Sequence, residues 1–321
     1  MRLVGLILIA LCLTAGARAQ GVQFGPAVLH SVVTVLPLRT GQAPRRAPGD
    51  LRAIERSGSG VAIREGGFIA TNAHVLDRAA SVSVRLFDGR ELPAQIVGRD
   101  DPTDLAVLRI DETLPVLKAG LAPVLGEAVC AVGNPFGVGL TITCGVVSAL
   151  HRTGMGFNPI EDFIQTDASI NPGASGGALV NEKGQLVGLV TAIFTRRSDA
   201  DIGVNFATSM AMVNRVIDDL IAHGRVIRTA PGLQFTSLSR AERRREVGVR
   251  VAGVVPGGAA ARAGLRPGDV VTKIAGRTIR KRSDALAAIQ LHRPGESFPL
   301  TYHRDGRPHA ATLTLPPAAQ K

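Results

Sequence analysis

Between Val22 and Leu220 the chain is a succession of short apolar runs, each cut off within a few residues by Gly, Pro, Asn or Asp. Ten of them read as strands: Val28 to Leu36, Gly60 to Arg64, Phe68 to Asn72, Ser81 to Phe87, Ala94 to Gly98, Leu105 to Ile110, Ala128 to Val132, Thr141 to Leu150, Ala178 to Val180 and Gln185 to Phe194. So many short strands at close spacing, with turn residues between them, predict an all-β barrel or sandwich. The Gly, Pro and Arg content of Pro37 to Arg56 marks a surface loop inside this series. One helix closes it, from Met210 to His223, with Ser209 to cap its start, Val213, Val216, Ile217, Leu220 and Ile221 on one face, and Gly224 to end it.

At 321 residues the chain is long enough for two domains. After a linker at Arg225 to Ala230, strands resume at Val247 to Val255, Asp269 to Ile274, Phe298 to His303 and Ala310 to Leu315, with a helix at Ser283 to Leu291 among them. The second domain therefore mixes α and β, and Asp305-Gly306 supplies a tight hairpin turn between its last two strands. Aromatics are only 3% of the chain, so both cores are built from Val, Leu, Ile and Ala.

The first residues read as an export signal spanning 1–19. Arg2 precedes an apolar run from Leu3 to Leu13, and Ala17-Arg18-Ala19 fits a small-x-small cleavage site. The run would span about 16 Å as a helix, against a hydrocarbon core of ~30 Å, so cleavage is favoured over an anchor in the inner membrane. Removal of Cys12 leaves Cys130 and Cys144 in an oxidising compartment, where an even count favours a disulfide. Both lie seven residues from Gly137, so a hairpin there would bring them face to face; the alternative is a pair of buried small apolar side chains. The net charge of +11 is spread out, with local runs at Arg45-Arg46, Arg243 to Arg245 and Arg280 to Arg282 that are not interleaved with aromatics, which argues against nucleic acid; the reading is a solvated face, with attraction to anionic lipid or polysaccharide as the alternative.

Asn171-Pro-Gly-Ala-Ser-Gly-Gly-Ala-Leu-Val180 sets one hydroxyl, Ser175, among residues too small to cover it. A serine nucleophile needs a base and backbone N–H groups directed at the oxyanion it creates, and flanking glycines let the main chain fold around a carbonyl. His74, directly after the strand that ends in Thr71-Asn72, is the candidate base. Asp104, opening an apolar strand, is the candidate carboxylate. The Gly-x-Ser-x-Gly spacing also matches a nucleophile elbow, but that turn needs a strand before and a helix after it; here Asn171-Pro172 precede and a strand-like segment follows.

Thr71-Asn72-Ala73-His74-Val75, Thr103-Asp104-Leu105-Ala106-Val107, Gly133-Asn134-Pro135-Phe136-Gly137, Gln165-Thr166-Asp167 and Asn171-Pro172-Gly173-Ala174-Ser175-Gly176-Gly177, in this order, resemble the HtrA/Deg family of serine proteases. The resemblance covers nearly the whole chain after residue 19. It implies a mainly β fold: a chymotrypsin-like double β-barrel over 20–224, then a small α+β PDZ domain over 231–316. It implies an ATP-independent periplasmic endopeptidase acting on unfolded or damaged exported proteins, with no metal or cofactor. The implied roles are His74 as base, Asp104 as its orienter, Ser175 as nucleophile and the amides of Gly173 and Ser175 as oxyanion hole. Ser169, Ile170, Val204 and Asn205 fall where the specificity pocket is expected. The family also implies a homotrimer joined through N-terminal residues, with Phe24 as a candidate anchor.

The chain departs from the family pattern in three places. Ala174 and Ala178 stand where Asn and Pro are usual, so a side chain able to pin the nucleophile loop is missing. In the expected PDZ carboxylate loop, Pro231-Gly232-Leu233, the proline has no N–H, which predicts weak capture of C-terminal peptides. These departures keep a second reading open, a chaperone or scaffold that holds misfolded proteins and keeps a weak or latent protease site.

Overall fold

A computed structural model describes residues 24–39, 57–193 and 203–318. The expected signal segment and residues 40–56 lie outside the described residues, and Pro37 to Arg39, expected to open a surface loop, instead continue the first strand. Strands β1 (Val32–Arg39), β2 (Gly58–Arg64), β3 (Phe68–Thr71), β4 (Ala79–Arg85), β5 (Glu91–Asp100) and β6 (Leu105–Arg109) close into one barrel in the order β1-β2-β3-β6-β5-β4. Strands β7 (Ala128–Gly133), β8 (Thr141–Arg152), β9 (Phe163–Thr166), β10 (Ala178–Asn181), β11 (Leu186–Ile193) and β12 (Asn205–Ser209) close into a second, in the order β10-β11-β12-β9-β8-β7. All pairings are antiparallel, so each strand turns one face inward, and closure leaves no unpaired edge. The inward side chains are small and aliphatic: Val35, Ile69, Val84 and Leu108 in the first barrel, Val129, Ile164, Leu179 and Val190 in the second.

Helix α1 (Pro26–Ser31) precedes β1, which corrects the expectation of a strand beginning at Val28. Pro26 sits at the first helical position, where its missing N–H costs nothing, and the strand starts at Val32 instead. Phe24 is half-buried against the core shared by the barrels. Helix α2 (Met210–His223) has the predicted bounds; Ser209 Oγ accepts from Met212 N at 3.3 Å, and Gly224 ends it at φ +67°. Its face of Val213, Val216, Ile217 and Leu220 packs into the same core.

The expected hairpin between Cys130 and Cys144 is formed. The two residues are direct partners across β7 and β8, and their sulfurs are bonded. Cys130 is buried while Cys144 faces solvent.

The third sheet contains β13 (Leu233–Ser237), β14 (Val249–Val254), β15 (Val270–Ile274), β17 (Ser297–Arg304) and β18 (Arg307–Thr314) in that order, with β16 (Arg277–Thr278) paired to β15. Helices α3 (Ala259–Arg262) and α4 (Arg282–Gln290) cover it over a core of Val251, Leu265, Ile274, Ala288, Phe298 and Leu313. Asp305 and Gly306 both take positive φ, +51° and +72°, and join Arg304 to Arg307 by a two-residue turn as predicted.

This domain docks on the second barrel and α2. Asp162, fully buried at the start of β9, accepts from Arg277 Nη1 at 2.8 Å, Ser209 Oγ at 2.6 Å and His151 Nδ1 at 3.1 Å. Burial opposes its charge, but the His151 hydrogen bond and the Arg277 guanidinium outweigh it and hold the carboxyl well below the usual range. Thr153 Oγ1 reaches Ser283 Oγ at 2.8 Å and Asp284 Oδ1 at 2.6 Å at the start of α4. Arg293 Nη2 pairs with Asp218 at 2.9 Å.

Candidate active site

Asp104 is the element of the site with the least conformational choice. It caps a 3-10 turn (Asp101–Thr103) in the left-handed region, at φ +56° and ψ 40°, which costs a non-glycine residue about 1–2 kcal/mol. That turn of the chain points the carboxylate back at the 3-10 turn His74–Leu76. Oδ1 accepts from His74 N at 2.8 Å and Oδ2 meets His74 Nδ1 at 2.7 Å. A charge-assisted bond is worth ~1.5–3 kcal/mol, so the pair offsets the strained backbone. Ala73 N donates to Asp104 O at 3.1 Å and Asn72 Nδ2 to the same oxygen at 2.8 Å. The imidazole itself is half exposed, at 53%.

Ser175 comes from the second barrel, in the loop before β10, but it is anchored to the first. Ser59 N donates to Ser175 O at 2.8 Å. Gly176, at φ +86°, passes so close to β2 that a Cβ there would stand 2.1 Å from Ser59 O, so no other residue fits. The Ser175 hydroxyl donates to Thr191 O at 3.4 Å, and among the described residues it makes no hydrogen bond to His74. Thr191 also joins the halves through its own hydroxyl, which accepts from Asn72 Nδ2 at 2.7 Å and lies 3.4 Å from Asp104 Oδ2.

The loop before Ser175 is pinned by backbone and by one serine. Ser59 Oγ donates to Gly173 O at 2.7 Å and accepts from Asn134 N at 2.9 Å. Phe136 N donates to Pro172 O at 2.7 Å, Ala174 N to Asn171 O at 3.0 Å and Gly177 N to Ala174 O at 2.9 Å. Ala174 is buried, and a Cβ on Gly133 would lie 3.3 Å from its methyl group. The pins that a longer side chain at 174 would supply are thus provided by Ser59 and the β7–β8 turn. Gly173 takes φ +97°. Among the described residues neither its N–H nor that of Ser175 donates a hydrogen bond, which leaves two adjacent donors unspent beside the hydroxyl.

Of the expected pocket residues, Ile170 and Asn205 are buried, Ser169 is exposed and Val204 is half-buried. Asn205 Nδ2 donates to Ala168 O at 2.9 Å, which brings the start of β12 against the 168–170 segment. Thr143 Oγ1 donates to Ser169 O from β8. In the PDZ loop, Pro231 O accepts from Ala260 N at 3.0 Å and Gly232 O from Val255 N at 2.9 Å. Leu233 and Phe235 of β13 face Ser283 and Leu286 of α4 across an open groove of about 780 Å³.

Ser59 and Thr191 were not singled out in the sequence, and Asn134 only as part of the Gly133 to Gly137 motif. A hydroxyl inside an otherwise apolar strand signals Thr191, and the small-residue run Ser57 to Gly60 signals Ser59, but their partners stand more than 70 positions away. Arg228, in the expected linker, is a further member. It forms a bidentate pair with buried Asp100 at 2.6 and 2.7 Å, and Asp100 holds Thr103 Oγ1 immediately before Asp104.

Two closed six-stranded barrels with this Ser, His and Asp grouped between them, followed by a β-rich module carrying a strand–helix groove, define a trypsin-like serine endopeptidase with a PDZ domain. A trypsin-like peptidase domain family matches residues 58–189 and a PDZ domain family residues 201–315. The second match begins inside the second barrel, ahead of β12, whereas the third sheet begins at Leu233. The chain is 37% identical to the periplasmic pH-dependent serine endoprotease DegQ of Escherichia coli K12, over 90% of this chain and 68% of that protein. It is 38% identical to periplasmic serine endoprotease DegP of the same strain, over 82% of this chain and 57% of that one. The solved HtrA-type protease AlgW with a tripeptide matches 90% of this chain and 94% of its own at 36% identity, with a TM-score of 0.70. The chain belongs to the HtrA/Deg family of serine proteases. It spans about two thirds of DegQ and little more than half of DegP.

Proposed function

We propose that Ser175, His74 and Asp104 are the catalytic triad of an ATP-independent endopeptidase that cuts unfolded or damaged exported proteins. The observation that carries this reading is the joint placement of a bonded His74–Asp104 pair and two unspent amides beside Ser175. His74 takes the Ser175 proton as the hydroxyl attacks the scissile carbonyl, and Asp104 holds the imidazole in the tautomer that accepts it and stabilises the imidazolium. The amides of Gly173 and Ser175 take the oxyanion, and His74 then delivers the proton to the leaving amine. The resulting acyl-enzyme is released by water along the same proton path. Ile170 and Asn205, with Ser169 and Val204 at the margin, form the pocket for the substrate side chain on the acyl side of the cut. No step calls on a metal or cofactor.

The domains fall at 20–224 and 231–316, with 225–230 as linker. The relatives DegQ and DegP are periplasmic, which supports the same location for this chain after loss of residues 1–19. The groove beside Pro231-Gly232-Leu233 takes C-terminal peptides weakly, and the assembly is a homotrimer, as the family resemblance implies.

Labelling with a serine-directed phosphonate, in parallel with casein cleavage, tests the assignment. The wild type is expected to label and to cleave, whereas Ser175→Ala does neither, with turnover lower by roughly 10⁶-fold. A wild-type chain that neither labels nor cleaves at any temperature overturns the assignment in favour of a holdase.

A further inference from the structure

The groove between β13 and α4 carries positive charge that nothing nearby cancels. Elsewhere in the PDZ domain several cations are neutralised: Arg250 by Glu242, Arg277 by Asp162, Arg293 by Asp218 and Arg304 by Asp269. The groove is lined by Lys281 and Arg282 and by no acidic residue. Both side chains belong to exposed residues, and neither makes an ion pair among the described residues. Lys281 Nζ donates to Thr153 O, a neutral carbonyl that leaves its charge in place.

The carboxylate closest in sequence, Asp284, lies outside the lining and is already engaged. It accepts from Thr153 Oγ1 at 2.6 Å, Arg280 N at 2.8 Å and Lys281 N at 3.1 Å. Exposed Arg280 adds a third cation to this end of α4, against the single charge of Asp284.

The remaining walls suit an extended polypeptide. Strand β13 pairs with β14 alone and forms one edge of its sheet, so a ligand strand can be added along its other side. Leu233 and Phe235 are half-buried against the domain core, and Leu286 of α4 is exposed across from them. The head of the groove is poorer. Pro231 has no N–H to give a terminal carboxylate, so that loop lacks one of the charge-assisted bonds that hold a chain end. Charge readout by side chains is thus strong where readout of the chain end is weak.

We propose that this groove selects acidic polypeptide segments, and that Lys281 and Arg282 read carboxylate side chains of the ligand in preference to the carboxylate at its end. The proposal rests on the reading of the groove as a peptide site. Main-chain pairing with β13 supplies affinity that is indifferent to sequence, and Leu233 and Leu286 take apolar side chains. The two cations supply the selection, Arg282 with a planar fork that matches a carboxylate.

Fluorescence anisotropy on the full chain carrying Ser175→Ala, which keeps the probes uncut, tests the proposal. The labelled peptides end in Val-Leu-Val, preceded by Glu-Asp-Glu-Asp or by Gln-Asn-Gln-Asn, and the acidic one is also used with its C-terminus amidated. The acidic peptide is expected to bind about tenfold tighter than the neutral one at low salt, an advantage that shrinks as salt is added. Amidation is expected to weaken it by less than about threefold. Arg282→Glu is expected to bring the two peptides within about twofold of each other while the neutral one binds as before. Arg307→Glu makes the same change in net charge on β18, the opposite edge of the sheet, and is expected to leave the ratio within about twofold of its starting value. A thermal melt checks that each variant is folded; if Arg282→Glu is not, Arg282→Gln replaces it. Equal affinity for acidic and neutral peptides, or an equal loss of the acidic advantage in Arg307→Glu, overturns the proposal and leaves the groove a peptide site without charge selection. A larger loss on amidation than on exchange of the acidic residues overturns it in favour of chain ends. Absence of binding by all three peptides overturns the peptide-site reading, and the proposal with it.

Discussion

In the first barrel His74 and Asp104 are already joined, with His74 N at 2.8 Å and Nδ1 at 2.7 Å from the two carboxylate oxygens. In the second, the Ser175 hydroxyl donates to Thr191 O and its neighbouring amides donate to nothing among the described residues. The first half is made by chain close to the reacting groups, since one left-handed residue and two 3-10 turns suffice to aim it. The second half is held from a distance, by Ser59 of the opposite barrel reaching Gly173 and Asn134. Under the proposed roles, damage to the first half acts on proton transfer directly. Damage to the second acts on the placement of donors that only the transition state uses.

The largest effect expected from this contrast is at Asp104. Asp104→Asn keeps the shape but reverses one hydrogen bond to the imidazole, so kcat on a peptide substrate should fall about 10⁴-fold with the fold intact. A loss below tenfold would mean that His74 is oriented by something else. Ser59→Ala is expected to be milder, about 10- to 100-fold, because it loosens the donor loop without removing a donor. That loss should fall on kcat, with KM little changed, since ground-state binding does not use the oxyanion donors. A change confined to KM would show that Ser59 shapes the pocket instead.

Much of this architecture is written locally in the chain. The β rhythm announced a barrel or sandwich, helix α2 matched its cap and stop residues, and His74, Asp104 and Ser175 each sit in a short motif. Strands β9, β12 and β13 were not legible, because Gln165, Thr208 and Gln234 break the apolar run and only pairing with β8, β11 and β14 makes them strands. The same reason hid Ser59 and Thr191. Their neighbours mark them as unusual, but a partner more than a hundred residues distant cannot be named from them.

The smallest expected effect supplies a control outside the barrels. His292 stacks on Phe298 at 4.2 Å, and its carbonyl accepts from Arg215 Nε at 3.4 Å across the domain contact. Burial depresses its pKa below the ordinary 6.5 despite Glu296. The unfolded chain therefore binds more protons than the folded one just below that value, and stability should fall as pH drops through about 6.5. Melting curves of wild type and His292→Gln should diverge in slope there, with the variant flatter. The Asp162 carboxyl, likewise depressed, contributes stability that is present above the ordinary carboxylate range and is lost as the pH falls below it into strong acid. Turnover per folded molecule should not follow the His292 titration if the two barrels alone assemble the site.

The bond between Cys130 and Cys144 closes a covalent ring around the turn that includes Asn134 and Phe136. A protease is exposed to its own kind, and Phe136 and Val138 stand at the tip of that turn with their side chains in solvent. A cut anywhere between the two cysteines would leave the ends tethered, so a nicked molecule would migrate as one chain until reduced. The ring makes the turn beside the nucleophile loop a segment that can be broken without being lost.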